Sequence, residues 1–239
     1  MGILTDKIKA DNRFHEALSS CMNCGMCTAI CPAAEFYKYD PRNICNIVHR
    51  GDDEELEKLL RSDTIWYCGQ CMSCKTRCPR GNAPGVVISI LRTISQEMGF
   101  FTDSEKGRQQ YAIEQTIGTN ILQRGYCVHP DIVDPDLHPE QGPVWTWFMK
   151  NAEAVCEKVG ANWKKEGPGA LRNIHQSNLD EIKNIFDVTG GTALREQIEQ
   201  FSAKKANDLH INIEKTDENQ KYSDYLTALF TQNNNQHCK

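Results

Sequence analysis

The chain has 239 residues, a net charge of −5, 39% hydrophobic and 25% charged residues, the proportions of an ordinary globular protein of one or two domains. No run approaches the ~18 consecutive apolar residues of a membrane span, so no transmembrane segment of its own is expected, and the first residues mix acids with bases and hold no apolar stretch of the secretory kind. Residues 1–100 balance 12 Lys and Arg against 12 Asp and Glu, which leaves the whole acidic excess beyond them; no basic stripe points to a nucleic-acid partner.

Twelve cysteines stand out. Crowded cysteines in a chain with no sign of secretion bind metal or do redox chemistry rather than form structural disulfides. The expected location is therefore the cytoplasm.

Almost every segment reads as helix or loop. Residues 4–18 place Ile8, Phe14 and Ala17 on one face of a single amphipathic helix. Asp40-Pro41 predicts a cap and first helical position, with Gly51 as the stop. Asp52 or Asp53 caps a short helix carrying Leu56, Leu59 and Leu60. Pro84 opens a helix through Val87, Ile90, Leu91 and Ile94, ended by Gly99. Asp103 caps another, running to about Arg124 before Gly125. Residues 126–143, with four prolines, read as a long ordered loop. Helices follow at 144–159, 178–187 and 192–205, the last two split by Gly190-Gly191. His210–Ile213 is the one short strand candidate, and Gln232–Lys239 reads as a disordered tail.

The chemistry lies in a doubled motif. Cys21, Cys24, Cys27, Cys31 and Pro32 follow a C-x₂-C-x₂-C-x₃-C-P pattern, and Cys68, Cys71, Cys74, Cys78 and Pro79 repeat it. Three thiolates two residues apart can wrap one iron–sulfur cubane, while the fourth, at the start of the next helix, reaches the other cluster. Two [4Fe–4S] clusters are expected, one on Cys21, Cys24, Cys27 and Cys78, the other on Cys68, Cys71, Cys74 and Cys31. Gly25 and Gly69 leave room for close backbone approach, and Thr28, Ala29 and Thr76 keep the pocket tight. Zinc ribbons use two C-x₂-C pairs rather than triplets followed by Cys-Pro, and a disulfide framework needs an oxidising compartment.

Cys31 and Cys68 are separated by 36 residues that hold two helices, unlike the short, strand-containing link of compact ferredoxins. Pro41, Ile44, His49-Arg50-Gly51, then Ile65-Trp66-Tyr67-Cys68 and Pro79-Arg80-Gly81, make residues 10–100 resemble the alpha-helical ferredoxin module in the C-type subunit of heterodisulfide reductase. Related modules occur in succinate dehydrogenase iron–sulfur subunits and in the C-type subunit of glycerol-3-phosphate dehydrogenase. Further on, Gly118–Cys127 and His138–Trp145 are similar to the extended C-type subunit of heterodisulfide-reductase-like complexes of sulfur oxidisers. That resemblance implies cytoplasmic partners, a B-type subunit holding the sulfur-handling centres and an A-type flavoprotein subunit, with this chain passing electrons between them. No adjacent Cys-Cys pair and no flavin-binding G-x-G-x-x-G occurs, so no catalytic site of its own is expected. An iron–sulfur subunit of a quinone-linked dehydrogenase and a free-standing electron carrier are the competing readings.

The fold class expected is all-α: a ferredoxin domain over 1–100, a helical extension over 101–209 forming a subunit interface, and a polar tail over 210–239. Cys45, Cys127 and Cys156 read as packed or near-surface thiols, and Cys238 as exposed. His129, His138 and His175 read as loop histidines satisfying hydrogen bonds. Trp66 and Tyr67 are expected to shield the second cluster, and Lys75, Arg77 and Arg80 to favour its reduced form or dock an acidic partner. Trp145, Trp147 and Phe148 are expected to be buried.

Overall fold

The computed structural model describes residues 2–133 and 141–210. Among them every regular element is helical and none is a strand. No helix there is long and apolar enough to cross a membrane. These residues divide into two compact units, 2–110 with 197–210, and 111–196.

In the first unit, the helix expected over 4–18 is two: α1 (Ile3–Ala10) and α2 (Phe14–Ala17). Asp11 breaks it, taking extended dihedrals while its carboxylate accepts from the Arg13 amide and Nε, both at 2.9 Å, a local hydrogen bond that competes with helix. Short helices α3 (Met26–Ala29) and α4 (Ala33–Phe36) follow. Then α5 (Pro41–Arg50) starts as expected, with Asp40 accepting from the Asn43 amide and Gly51 left-handed at its end.

Helix α6 (Asp53–Leu60) is capped by Asp52, which accepts from the amides of Glu54 and Glu55. Asp53 does something the local pattern did not contain. Its carboxylate accepts from the Leu4 and Thr5 amides at 3.0 and 3.1 Å, so it satisfies the orphan donors of α1 instead. A 3₁₀ turn over Asp63–Tyr67 leads to α7 (Ser73–Thr76) and α8 (Pro84–Glu97).

Helix α8 is the centre of this unit. Val87, Ile88, Ile90, Leu91 and Ile94 are all buried, so it is apolar around most of its girth, as an enclosed helix must be. It packs on α1, α2, α5, α6 and α7, and Leu4, Ile8, Phe14, Ile44, Val48, Leu56, Leu60 and Ile65 complete the core. Each fully buried aliphatic side chain contributes about 1.5–3 kcal/mol relative to exposure.

The next cap differs from expectation. Helix α9 (Glu105–Ile113) is started by Ser104, whose hydroxyl accepts from the Gly107 amide at 2.8 Å. Asp103 is drawn off by two cations, pairing with Arg61 and with Lys205 at 3.0 Å.

The second unit continues with a π-helical turn over Glu114–Gly118 and α10 (Thr119–Arg124), which stops at Gly125 as read from the sequence. Glu114 is buried there and accepts from Arg195 Nε at 2.6 Å. Helix α11 (Gly142–Lys158) is kinked at Asn151. Trp145 and Phe148 are half-buried and stacked at 4.8 Å, but Trp147 is 57% exposed: two residues on from Trp145 along a helix, it points the other way. Helices α12 (Gln176–Thr189) and α13 (Gly191–Asp208) part at Gly190. His175 caps α12 through Nδ1, which accepts from the Ser177 amide. Residues 134–140 of the long loop, with His138, lie outside the described residues. So do nearly all of the strand candidate, the tail and Cys238.

Candidate iron–sulfur site

The two cysteine motifs are 47 residues apart and take the same path. Asn23 and Gln70 are both left-handed (φ 58° and 52°), as are the next pair in register, Gly25 and Met72 (φ 80° and 59°). In each loop the amide of the third residue donates to the first cysteine sulfur at 3.4 Å, Asn23 to Cys21 and Gln70 to Cys68. The short helices α3 and α7 each open one residue before the third cysteine and pack on one another. Glycine takes the left-handed position without strain in the first loop, whereas methionine holds it in the second, at a cost of about 1–2 kcal/mol.

Residues after the second motif are stitched to those before the first. The Ala83 amide donates to Ala17 O at 2.8 Å. Asn82, only 3% exposed, accepts from the Ser19 amide at 3.1 Å and donates through Nδ2 to Ser20 O at 3.0 Å. These bonds fasten the approach to Cys21 beside the exit from Cys78.

The outcome is two cavities, each lined by four motif cysteines, with Cys45 of α5 as a fifth on the wall of the first. Cys21, Cys24, Cys27 and Cys78 line one, together with Met22, Met26, Arg42 and Arg80. Cys31, Cys68, Cys71 and Cys74 line the other, of about 250 Å³, with Phe36, Tyr37, Tyr39 and Tyr67. Among the described residues no three His, Cys, Asp or Glu side chains converge on a single point as a mononuclear metal site requires.

The surroundings suit a four-thiolate cluster. A ring of soft donors with backbone N–H groups aimed at sulfur is the ligand set that holds such clusters. The Tyr39 hydroxyl is buried with no oxygen or nitrogen partner and faces the thiol of Cys68, with Cys31 nearby. Gly85 leaves open a space in which a Cβ would come within 3.1 Å of Met72 Sδ and 3.6 Å of Cys74 Sγ. Burial pushes the Cys27 thiol up, against a hydrogen bond from Thr28, and pushes Cys74 up against one from the Gly85 amide. Hydrogen bonding to Ser73 lowers Cys71. Cys45, 1% exposed, packs in the core as expected, and burial, with the neighbouring cysteines, raises its thiol.

Several expectations change. Gly25 is left-handed and necessary, while Gly69 lines the second cavity, where a Cβ would meet no protein atom within 4 Å. Thr28 is tied by its hydroxyl to Asp40, while Ala29 and Thr76 are exposed and line neither cavity. Tyr67 does shield the second cavity, stacked on Tyr37 at 4.2 Å, whereas Trp66 lies behind it over the Arg92 guanidinium. Lys75 and Arg77 are exposed, and Arg80 lines the first cavity rather than the second. Three residues escaped the sequence reading altogether: Asn82, Tyr39 and Arg92. For Arg92 a signal existed, a lone cation in the run Val86–Ile94. Cys127 is exposed, Cys156 buried, and His129 is buried, its Nδ1 accepting from the Asp131 amide at 3.2 Å.

Residues 16–82 match the 4Fe–4S dicluster domain family. The chain is 31% identical over 173 residues to the C-type subunit of a ferredoxin:CoB-CoM heterodisulfide reductase of Methanosarcina acetivorans, covering 72% of this chain and 62% of that one; it thus spans less than two thirds of that relative. It is 32% identical over 145 residues to a C-type iron–sulfur subunit of a CoB–CoM heterodisulfide reductase of Methanocaldococcus jannaschii, covering 59% and 71%. Against the C-type subunit of an H(2):CoB-CoM heterodisulfide,ferredoxin reductase of Methanothermobacter marburgensis it is 30% identical over 166 residues, covering 67% and 86%. The doubled cysteine motif, the all-helical frame around it and these likenesses agree, and the chain belongs to the family of C-type iron–sulfur subunits of heterodisulfide reductase.

Proposed function

We propose that this chain is the electron-transfer subunit of a heterodisulfide-reductase-like complex of cytoplasmic sulfur oxidation, passing electrons between a sulfur-handling B-type subunit and an A-type flavin subunit. Cys21, Cys24, Cys27 and Cys78 hold one [4Fe–4S] cluster, and Cys68, Cys71, Cys74 and Cys31 hold the second. When bound, the clusters supply one-electron transfer. The protein's own part is to hold them side by side through α3 and α7, to aim backbone N–H groups at the sulfurs, and to limit water through Tyr37, Tyr39 and Tyr67. No catalytic site belongs to this chain.

The observation that supports this reading is the arrangement of the eight motif thiols, four and four, around two pockets, each quartet drawing its fourth member from the other motif. A crossed pair is a conductor more naturally than a staple. Residues 1–100 form the ferredoxin domain, and 101–209 form the surface on which partner subunits assemble. Val144, Trp147, Ile185 and Val188 are exposed in that extension, more apolar surface than a freely diffusing carrier needs. The relatives named above are reductases of the CoB–CoM heterodisulfide; the segments Gly118–Cys127 and His138–Trp145 favour the sulfur-oxidising branch here.

The test is anaerobic purification of the chain, tagged, from its own host. A flavoprotein and a chain with adjacent Cys-Cys pairs should accompany it in fixed stoichiometry, and the assembly should be reduced by a persulfide donor. Recovery of this chain alone, or with a membrane-anchored quinone-reactive partner, would refute the assignment.

A further inference from the structure

We propose that Arg92 and Tyr39 make the cluster on Cys68, Cys71, Cys74 and Cys31 the more readily reduced of the two, so that an electron entering this chain rests there. The inference depends on the four-and-four ligation proposed above.

Arg92 is the one charged residue between Pro84 and Gln96 on α8 and is half-buried. Its Nε donates to Ile65 O at 2.8 Å, and its Nη2 donates to Cys68 O at 2.7 Å, the carbonyl of a proposed ligand. The Trp66 ring, 5.3 Å away, covers the guanidinium. Among the described residues no carboxylate pairs with it. Its charge is therefore uncancelled, partly shielded from water and fixed in place next to one quartet only.

Tyr39 adds a dipole at the same spot. Its hydroxyl is buried without an oxygen or nitrogen partner, in the cavity lined by Cys31 and Cys68, positioned to donate to a ligand sulfur. Reduction adds one electron and one negative charge to a cluster. A fixed cation and an O–H donor favour that added charge, and they do so more strongly where water is scarce.

The first cavity lacks this arrangement. Arg42 on its wall is paired with Asp40 at 3.1 Å, so the two charges largely cancel. Arg80 is exposed and donates to the Ser20 hydroxyl, where water and salt screen it. Cys45 on the wall of that cavity offers only a weak S–H donor. The two motifs are near copies, but their electrostatic surroundings are not.

The experiment is a potentiometric titration of the full-length chain, purified anaerobically with its clusters and followed by EPR. Two separate one-electron steps are expected. Arg92→Gln should shift only the upper step to lower potential, by at least a tenfold change in the oxidised-to-reduced ratio, or about 59 mV for one electron. Tyr39→Phe should shift the same step in the same direction by less, and Arg92→Lys should restore most of the loss. A lower step that moves with Arg92→Gln, no movement at wild-type iron content, or a single two-electron wild-type step would overturn the proposal. Should Arg92→Gln lose its iron, Tyr39→Phe decides, and an unmoved upper step refutes it. Wild-type protein with four irons or none would instead defeat the ligation on which the inference stands.

Discussion

Asn82→Ala tests how the first cysteine loop is held. The side chain is buried and makes two bonds to backbone, one from the Ser19 amide and one to Ser20 O. A hydrogen bond contributes about 0.5–1.5 kcal/mol net, so losing both removes about 1–3 kcal/mol from the fastening between the approach to Cys21 and the exit from Cys78. At about 1.4 kcal/mol per factor of ten, local opening of that loop becomes about 5- to 150-fold more frequent. The Ala83-to-Ala17 backbone bond stays, so the fold survives. The assay is anaerobic iron release to a strong chelator, which in the variant should split into a fast half and an unchanged slow half. Asn82→Asp, which keeps the acceptor for Ser19, should fall between. Equal acceleration of all the iron, or none, would refute the clamp.

Three further outcomes follow from local geometry. Gly25→Ala should destabilise the first loop by about 1–2 kcal/mol because a Cβ is disfavoured at φ 80°, and the iron held by that loop should be released to a chelator faster than in the wild type, with an unchanged rate counting against the assignment. Burial holds the His129 imidazole below its ordinary value, against the pull of Asp131 and with help from Arg124 and Lys164. The unfolded chain therefore takes up that proton first, and stability is full above about pH 6.5 and falls as pH drops towards the lower folded value. Thermal midpoints between about pH 7.5 and 5.5 should show this decline, and His129→Gln should flatten it; an unchanged slope would count against the assignment. Arg195→Ala removes the cation paired with the buried Glu114 carboxylate, which keeps its bond from Gln115, and should destabilise the second unit by about 1–3 kcal/mol, read as faster hydrogen exchange at the amides of α10.

Much of this was legible in the sequence because the signals were local. Asp40 and Asp52 each cap a helix through bonds within three residues, Pro84 opens one through its fixed φ, and the cysteine spacing carries its own ring geometry. What could not be read depends on contacts across the chain. Asp53 sits in a capping pattern yet serves α1, almost fifty residues away, and Asp103 yields its expected cap to Ser104 because Arg61 and Lys205 reach it first. Trp147 shares an aromatic cluster in sequence with Trp145 but not its face of the helix. Tyr39 and Arg92 illustrate the same limit at the site itself. Neither lies within a cysteine motif: Arg92 reaches the second loop from α8, and Tyr39 from the segment just before α5.

Metal analysis with EPR of the anaerobically purified, dithionite-reduced protein tests directly whether one chain holds two clusters. About eight irons and eight sulfides per chain, with the broadened spectrum of two interacting cubanes, is the predicted result. Zinc in place of iron, or four irons with the spectrum of one isolated cluster, would contradict it.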